Sequence, residues 1–227
     1  MKLLIDDADL LAIKKIYDYY PIDGVTTNPS ILAKTKRAPY QVLKEIREFI
    51  GDEAELHVQV IGETCIKMVE DAKSILRELG ENTYIKIPVN QEGLKAIKVL
   101  KEGDKRINIT ATAIYTTMQA YLAAKAGADY VAPYVNRIDN LGFDGVLVAK
   151  DIHNLFIENN YKCQVLAASF KNTKQVLELA KSGVGAATVG VDTIEGLLKN
   201  DAVDKAIMVF SQDFEMLCGK NKTMSNL

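Results

Sequence analysis

The segment Tyr84-Ile85-Lys86-Ile87-Pro88-Val89 is short and apolar almost throughout, with one lysine at its centre. Its length and β-branched content suit a strand. A run apolar on nearly every position is the mark of a parallel strand covered on both faces. Successive side chains in a strand point to opposite faces, so Ile85 and Ile87 share one side and Lys86 takes the other. Seven more runs of this character occur: Lys2–Ile5, Gly24–Thr27, Leu56–Ile61, Arg106–Thr112, Tyr130–Val135, Cys163–Ser169 and Ala186–Val191. Their starts recur about every 26 residues, roughly one β-α unit each.

The stretches between the runs carry helical spacing. Cys65, Met68, Val69, Ala72, Ile75, Leu76 and Leu79 fall at three- and four-residue steps. So do Val42, Leu43, Ile46, Phe49 and Ile50, and likewise Val148, Ile152, Leu155 and Phe156. Each set makes one apolar stripe, as expected of a helix laid on a sheet. A further helix carries Val203, Ala206, Ile207, Phe210, Phe214 and Leu217 near the end of the chain. Pro39 suits a first helical turn, and Gly51, Gly80, Gly103, Gly127 and Gly183 fall where helices should stop.

Eight β-α units nearly exhaust the 227 residues. A closed (β/α)8 barrel typically needs ~250 residues, with about 200 near the minimum. The expected fold is therefore α/β, a compact (β/α)8 TIM barrel with an additional C-terminal helix. It is expected to fill residues 1–219 as a single domain, followed by a polar tail at 220–227. An open doubly wound sheet is the alternative. It would more often show a glycine-rich first turn, and Ile5-Asp6-Asp7-Ala8-Asp9 contains neither GxGxxG nor a P-loop.

Composition narrows the function. Lys and Arg total 28 against 30 Asp and Glu, a net charge of -2. That balance argues against a general nucleic-acid binder or an anionic-membrane binder. Cys65, Cys163 and Cys218 are odd in number and form no CxxC, so a disulfide framework is not expected and a reducing cytoplasm fits. His57 and His153 sit in no HExxH or Cys/His cluster, so no metal site is expected. The apolar start Leu3-Leu4-Ile5 ends at Asp6-Asp7 and does not read as a signal peptide. No stretch approaches 18 apolar residues, so no membrane span is expected.

Active sites of such barrels lie at the C-terminal strand ends. Polar residues inside or just after the apolar runs are the candidates: Asp6, Thr26, Thr27, Asn28, Gln59, Lys86, Asn108, Thr110, Thr112, Tyr134, Asn136, Arg137, Ser169 and Lys171. Lys86 is the sharpest of them. Burial disfavours the ammonium, and a neutral amine can attack a carbonyl to form a Schiff base. The bland reading is a lysine snorkelling from a strand edge. Asp6 has a rival role as a helix N-cap, or it shares tasks with Asp7. Asn28 can serve a turn at Asn28-Pro29 or bind substrate hydroxyls. Gln59 can be a satisfied buried amide, and His57, in phase with it, reads as structural. Arg137 suits a phosphate through its planar fork, or else a salt bridge to Asp139. Ser169 and Lys171 can complete an anion site after the seventh strand.

Four stretches go further. Gly24-Val25-Thr26-Thr27-Asn28-Pro29-Ser30, Ile85-Lys86-Ile87-Pro88-Val89, Ala132-Pro133-Tyr134-Val135-Asn136-Arg137-Ile138-Asp139 and Leu166-Ala167-Ala168-Ser169-Phe170-Lys171 resemble the small transaldolase family, closest to its fructose-6-phosphate aldolases. The resemblance runs to about Gly219. It implies a Schiff-base lysine at Lys86 and a proton-handling carboxylate at Asp6. It assigns Gln59, Thr112 and Tyr134 to a catalytic water and gives Asn28 contacts to the dihydroxyacetone portion; Thr26 is a further substrate-binding candidate. Arg137, Ser169 and Lys171 match the phosphate end.

The substrates implied are phosphorylated ketose and aldose sugars, handled without metal or organic cofactor in the cytoplasm. The oligomer implied is a homo-pentamer or decamer. Gln59 and Tyr134 lean toward the aldolase, since transaldolases proper more often carry Glu and Phe there; transaldolase is the alternative. Three positions depart from expectation: Asp7 where threonine or serine is usual, a second threonine at Thr110, and Lys171 where longer transaldolases use arginine. A barrel isomerase without covalent attachment and a non-catalytic sugar-phosphate binder are the rival readings.

Overall fold

In the computed structural model all 227 residues are described. Eight parallel strands close into a barrel in sequential order: β1 (Lys2–Asp6), β2 (Gly24–Thr26), β3 (Glu55–Gln59), β4 (Tyr84–Pro88), β5 (Ile109–Ile114), β6 (Tyr130–Pro133), β7 (Gln164–Ala167) and β8 (Ala186–Val189). The helices are α1 (Leu10–Tyr19), α2 (Pro29–Lys34), α3 (Pro39–Ile50), α4 (Cys65–Leu79), α5 (Gln91–Gly103), α6 (Thr117–Ala126), α7 (Val135–Asn140), α8 (Gly145–Glu158), α9 (Thr173–Lys181), α10 (Val191–Leu198) and α11 (Asp201–Cys218). The expected (β/α)8 TIM barrel with an additional C-terminal helix is the fold observed. By internal packing the chain divides into Met1–Ile194 and Glu195–Leu227.

Strand alternation separates two cores. Ile5, Val25, Leu56, Val58, Ile85, Ile87, Ile109, Val131, Val165 and Val189 face outward and are buried beneath the helices. Inside the ring, Leu4, Tyr130, Leu166 and Ala186 form a small apolar plug with Tyr84 against it. The β-branched residues thus fill the larger layer, where one face of every strand meets a helix stripe. The barrel interior is mostly left to polar groups.

Helix ends follow local chemistry. Asp9, Asn28, Thr64, Asn90, Thr116, Asp144 and Asn172 each cap a helix N-terminus through a side-chain oxygen. The cap of α1 is therefore Asp9, which takes Leu11 N–H at 2.9 Å, and neither Asp6 nor Asp7 does that work. Pro29 and Pro39 open α2 and α3. Gly127 ends α6 at φ 107°, a left-handed turn that glycine adopts without steric cost. No helix is long and apolar enough to cross a membrane.

Candidate active site

Most of the residues singled out along the sequence gather at the C-terminal ends of the strands; Asn108, which precedes β5, lies instead at the opposite end of the barrel beside Lys2 and Tyr84. Asp6, Thr26 and Gln59 are the last residues of β1, β2 and β3. Lys86 pairs in register with Gln59 on one side and Thr110 on the other, and Thr112 pairs with Pro88. Tyr134 follows β6 directly, and Ser169 lies just beyond β7. A cavity of about 700 Å³ beside α1 and α2 reaches Asp6 and Asp7 but is not lined by Lys86, Tyr134 or Arg137. An apolar cleft of about 520 Å³ between α2, α3 and α4 has Gln59 in its wall; Asp71, also in the wall, is spent on the Ile61 and Gly62 N–H groups.

Lys86 is 5% exposed. Its Nζ donates one hydrogen bond, 2.8 Å, to the Thr27 carbonyl. That carbonyl is fixed in turn, because Thr27 donates to the His57 carbonyl through both N–H (3.0 Å) and Oγ1 (3.1 Å). Burial pushes the Lys86 pKa below its ordinary range, and the Asp6 charge opposes this only in part. Asp6 moves the other way. Burial raises its pKa, Lys86 and the Thr26 hydrogen bond pull it down, Asp7 raises it, and Arg137 lowers it. The extra charge at Asp7 thus acts in the direction expected from the sequence.

Thr26 donates its hydroxyl proton to Asp6 Oδ1 at 2.7 Å. A hydroxyl has one proton to give, so the 2.6 Å contact with Thr188 must be donated by Thr188. Thr188 was not among the sequence candidates. The signal was present, a polar residue inside the run Ala186–Val191. Asn28 spends its Oδ1 on capping α2 through Ile31 N–H at 3.0 Å. The turn reading of Asn28 is the one observed; its amide NH2 makes no hydrogen bond within the chain.

The two threonines of β5 divide cleanly. Thr110 meets His57 Nδ1 at 2.9 Å, below the mouth. Thr112 meets the Tyr134 hydroxyl at 3.0 Å. Arg137 stacks its guanidinium 4.5 Å from the Tyr134 ring centre, and the alternative partner Asp139 is engaged elsewhere. Asp139 accepts from Gly145 N–H at 2.7 Å and from Gln175 Nε2 at 2.6 Å. Buried Gln175 also accepts from Lys171 N–H at 2.8 Å, and Asn136 N–H donates to the Ser169 carbonyl at 2.8 Å. Helix α7, which carries Arg137, and the loop carrying Lys171 are thereby tied together. Ser169 holds φ 62°, the left-handed region that a serine enters only under constraint.

Beneath the mouth lies a polar floor. His57 is fully buried and stacks on Tyr84 at 4.4 Å. Its Nε2 lies 3.2 Å from Glu55, which also accepts from Lys2 and from the Tyr130 hydroxyl. A carboxylate only accepts, so the imidazole proton sits on Nε2 and Nδ1 accepts from Thr110. Burial, against the pull of Glu55, holds His57 down at about 4. The reading of His57 as structural fits this neutral, fully paired ring.

This floor makes the barrel acid-sensitive. The unfolded imidazole takes up a proton near its ordinary 6.5, the folded one only near 4, so stability is lost as pH falls through that window. The loss comes to about 3 kcal/mol. Glu55, held down at about 2 against an ordinary 4.5, adds a further loss below that. His57→Phe keeps the ring on Tyr84 and removes the upper window. It should cost about 1–3 kcal/mol at neutral pH. Thermal melts between pH 6.5 and 4 should then lose most of their slope; an unchanged slope would show that His57 is not the group responsible.

Residues 3–227 match the family described as Transaldolase/Fructose-6-phosphate aldolase. A curated protein of Streptococcus pneumoniae (strain ATCC 700669 / Spain 23F-1), named "Probable fructose-6-phosphate aldolase", is 40% identical over 215 residues, which is 94% of this chain and 96% of that relative. With its buried strand lysine and polar barrel mouth, the chain belongs to the transaldolase/fructose-6-phosphate aldolase family of enzymes.

Proposed function

We propose that the protein is a Schiff-base aldolase that cleaves fructose 6-phosphate to dihydroxyacetone and glyceraldehyde 3-phosphate and forms it in reverse. The observation that carries this reading is Lys86, a buried amine with lowered proton affinity at the mouth of the barrel. Its bond to the Thr27 carbonyl leaves a neutral amine one lone pair for attack on the ketone. The carbinolamine loses water to give an iminium. Asp6, held by Thr26, takes the C4 hydroxyl proton while the C3–C4 bond breaks and its electrons enter the iminium. Glyceraldehyde 3-phosphate leaves and an enamine remains on Lys86. Protonation at C3 and attack by a water between Gln59, Thr112 and Tyr134 release dihydroxyacetone. Asn28 takes the dihydroxyacetone hydroxyls. Arg137, Ser169 and Lys171 take the phosphate.

The hydroxyl pair Thr112–Tyr134 favours hydrolysis of the enamine over its transfer to a second sugar. The assay supplies fructose 6-phosphate with no acceptor and follows glyceraldehyde 3-phosphate. Many turnovers are expected. Strict dependence on added erythrose 4-phosphate would mark a transaldolase instead. A homo-oligomer is supported by α11, which buries none of its residues and exposes Val203, Ile207 and Phe210.

A further inference from the structure

Strand β5 departs from its neighbours in one respect. Ile109 and Ala111 face the helices, while Thr110 and Thr112 face inward. Ala113 then holds φ 58°, and the register with β6 shifts between Ala111 and Ile114. Such an extra residue reverses the alternation downstream of it and re-aims the side chains that follow. Ile114 accordingly lies wholly buried in the sheet–helix core, where simple alternation would have turned it inward. The inward phase passes to Tyr115. Its ring meets that of Tyr134 in a T-shaped contact, centroids 5.7 Å apart at 74°. Tyr134 is thus held on three sides: Thr112 at its hydroxyl, Arg137 over its face, and Tyr115 against the ring.

We propose that Tyr115 is a positioning residue of the active site, carried to the mouth by the bulge at Ala113 so that its ring keeps the Tyr134 phenol on Thr112. The proposal rests on the reading of Tyr134 as a hydroxyl that places the hydrolytic water. Tyr115 acts through ring packing, and its effect passes through the Tyr134 hydroxyl. T-shaped aromatic contacts fix orientation as well as area, and small misplacements of a catalytic group lower rate steeply.

The test is a double-mutant cycle on fructose 6-phosphate cleavage. Tyr115→Leu should lower kcat about tenfold, with KM changing less than about threefold. Tyr115→Phe, which keeps the ring, should restore kcat. In a Tyr134→Phe background Tyr115→Leu should cost less than about twofold more, because the hydroxyl it positions is gone. A full tenfold loss on top of Tyr134→Phe would overturn the proposal, and so would a Tyr115→Phe variant as slow as Tyr115→Leu. If Tyr115→Leu does not fold, Tyr115→Met carries the same comparison. Borohydride trapping on the unaltered chain separates the two levels. An adduct on Lys86 with Tyr115→Leu unimpaired removes only the role of Tyr115; no adduct on Lys86 removes the Schiff-base reading and this proposal together.

Discussion

Lys86→Met should abolish the borohydride-trapped adduct with fructose 6-phosphate and lower kcat by on the order of 10⁴-fold or more, with the barrel still folded. The chemical half of this expectation follows from what methionine lacks. Without a nitrogen there is no carbinolamine, no iminium, and no sink for the electrons of the C3–C4 bond. The structural half follows from burial. Lys86 is enclosed, with Ile85 and Ile87 beside it facing the other core. An unbranched apolar chain of similar length occupies the same space. It removes a buried amine whose charged form is costly there. It also leaves the Thr27 carbonyl without its side-chain donor, a loss of about 1–3 kcal/mol. These terms oppose each other, so melting should shift by only a few degrees. Mass spectrometry of the trapped protein and a thermal melt test both halves. Activity persisting at a substantial level in Lys86→Met would point to the non-covalent isomerase reading. Binding of fructose 6-phosphate without turnover in the unaltered chain would point to a sugar-phosphate binder.

The barrel could be read from the chain because its signals are local. Each strand is an apolar run, α3, α4 and α8 carry amphipathic stripes, and eight β-α units nearly exhaust the chain, which favours the closed barrel over an open doubly wound sheet. The inward residues of β3 and β4 were legible for the same reason: period-two alternation places His57 with Gln59 and sets Lys86 opposite Ile85 and Ile87. What could not be read are features that depend on two strands at once. The bulge at Ala113 shows only as a register shift against β6, so Tyr115 stayed out of sight. The partner of Thr26 lies across the closing seam of the barrel at Thr188. The engagement of Asp139 by Gly145 and by Gln175, which leaves Arg137 unclaimed by it, ties α7 to the first turns of α8 and α9. Strand ends differ in both directions: Ile61 and Val191 extend their runs after the ladder has ended, while β1 and β5 continue past Ile5 and Thr112 to Asp6 and Ile114.

Asp6→Asn separates attachment from bond cleavage. Asparagine keeps the shape and can still accept the Thr26 hydroxyl, but it cannot take a proton from the substrate. Loss of a general base typically costs about 10²–10⁴-fold, so kcat for fructose 6-phosphate cleavage should fall by that order. Schiff-base formation should survive. The Asp6 charge raises the proton affinity of Lys86, so its removal lowers the Lys86 pKa further and makes the neutral amine available at lower pH. The pH profile of adduct formation should therefore move toward acid in the variant while turnover is lost. In the unaltered enzyme the sign runs the other way for the base. Burial raises Asp6 above the ordinary 3.8, so kcat/KM should fall on acidification at a pH above the usual carboxylate range. Because the two groups interact, the limbs of that profile belong to the pair rather than to either residue. Borohydride trapping against pH, run beside a cleavage assay, reads both. If Asp6→Asn formed no adduct at any pH, the carboxylate would be acting on the attack of Lys86 itself, and the base in C3–C4 cleavage would have to be sought elsewhere at the mouth.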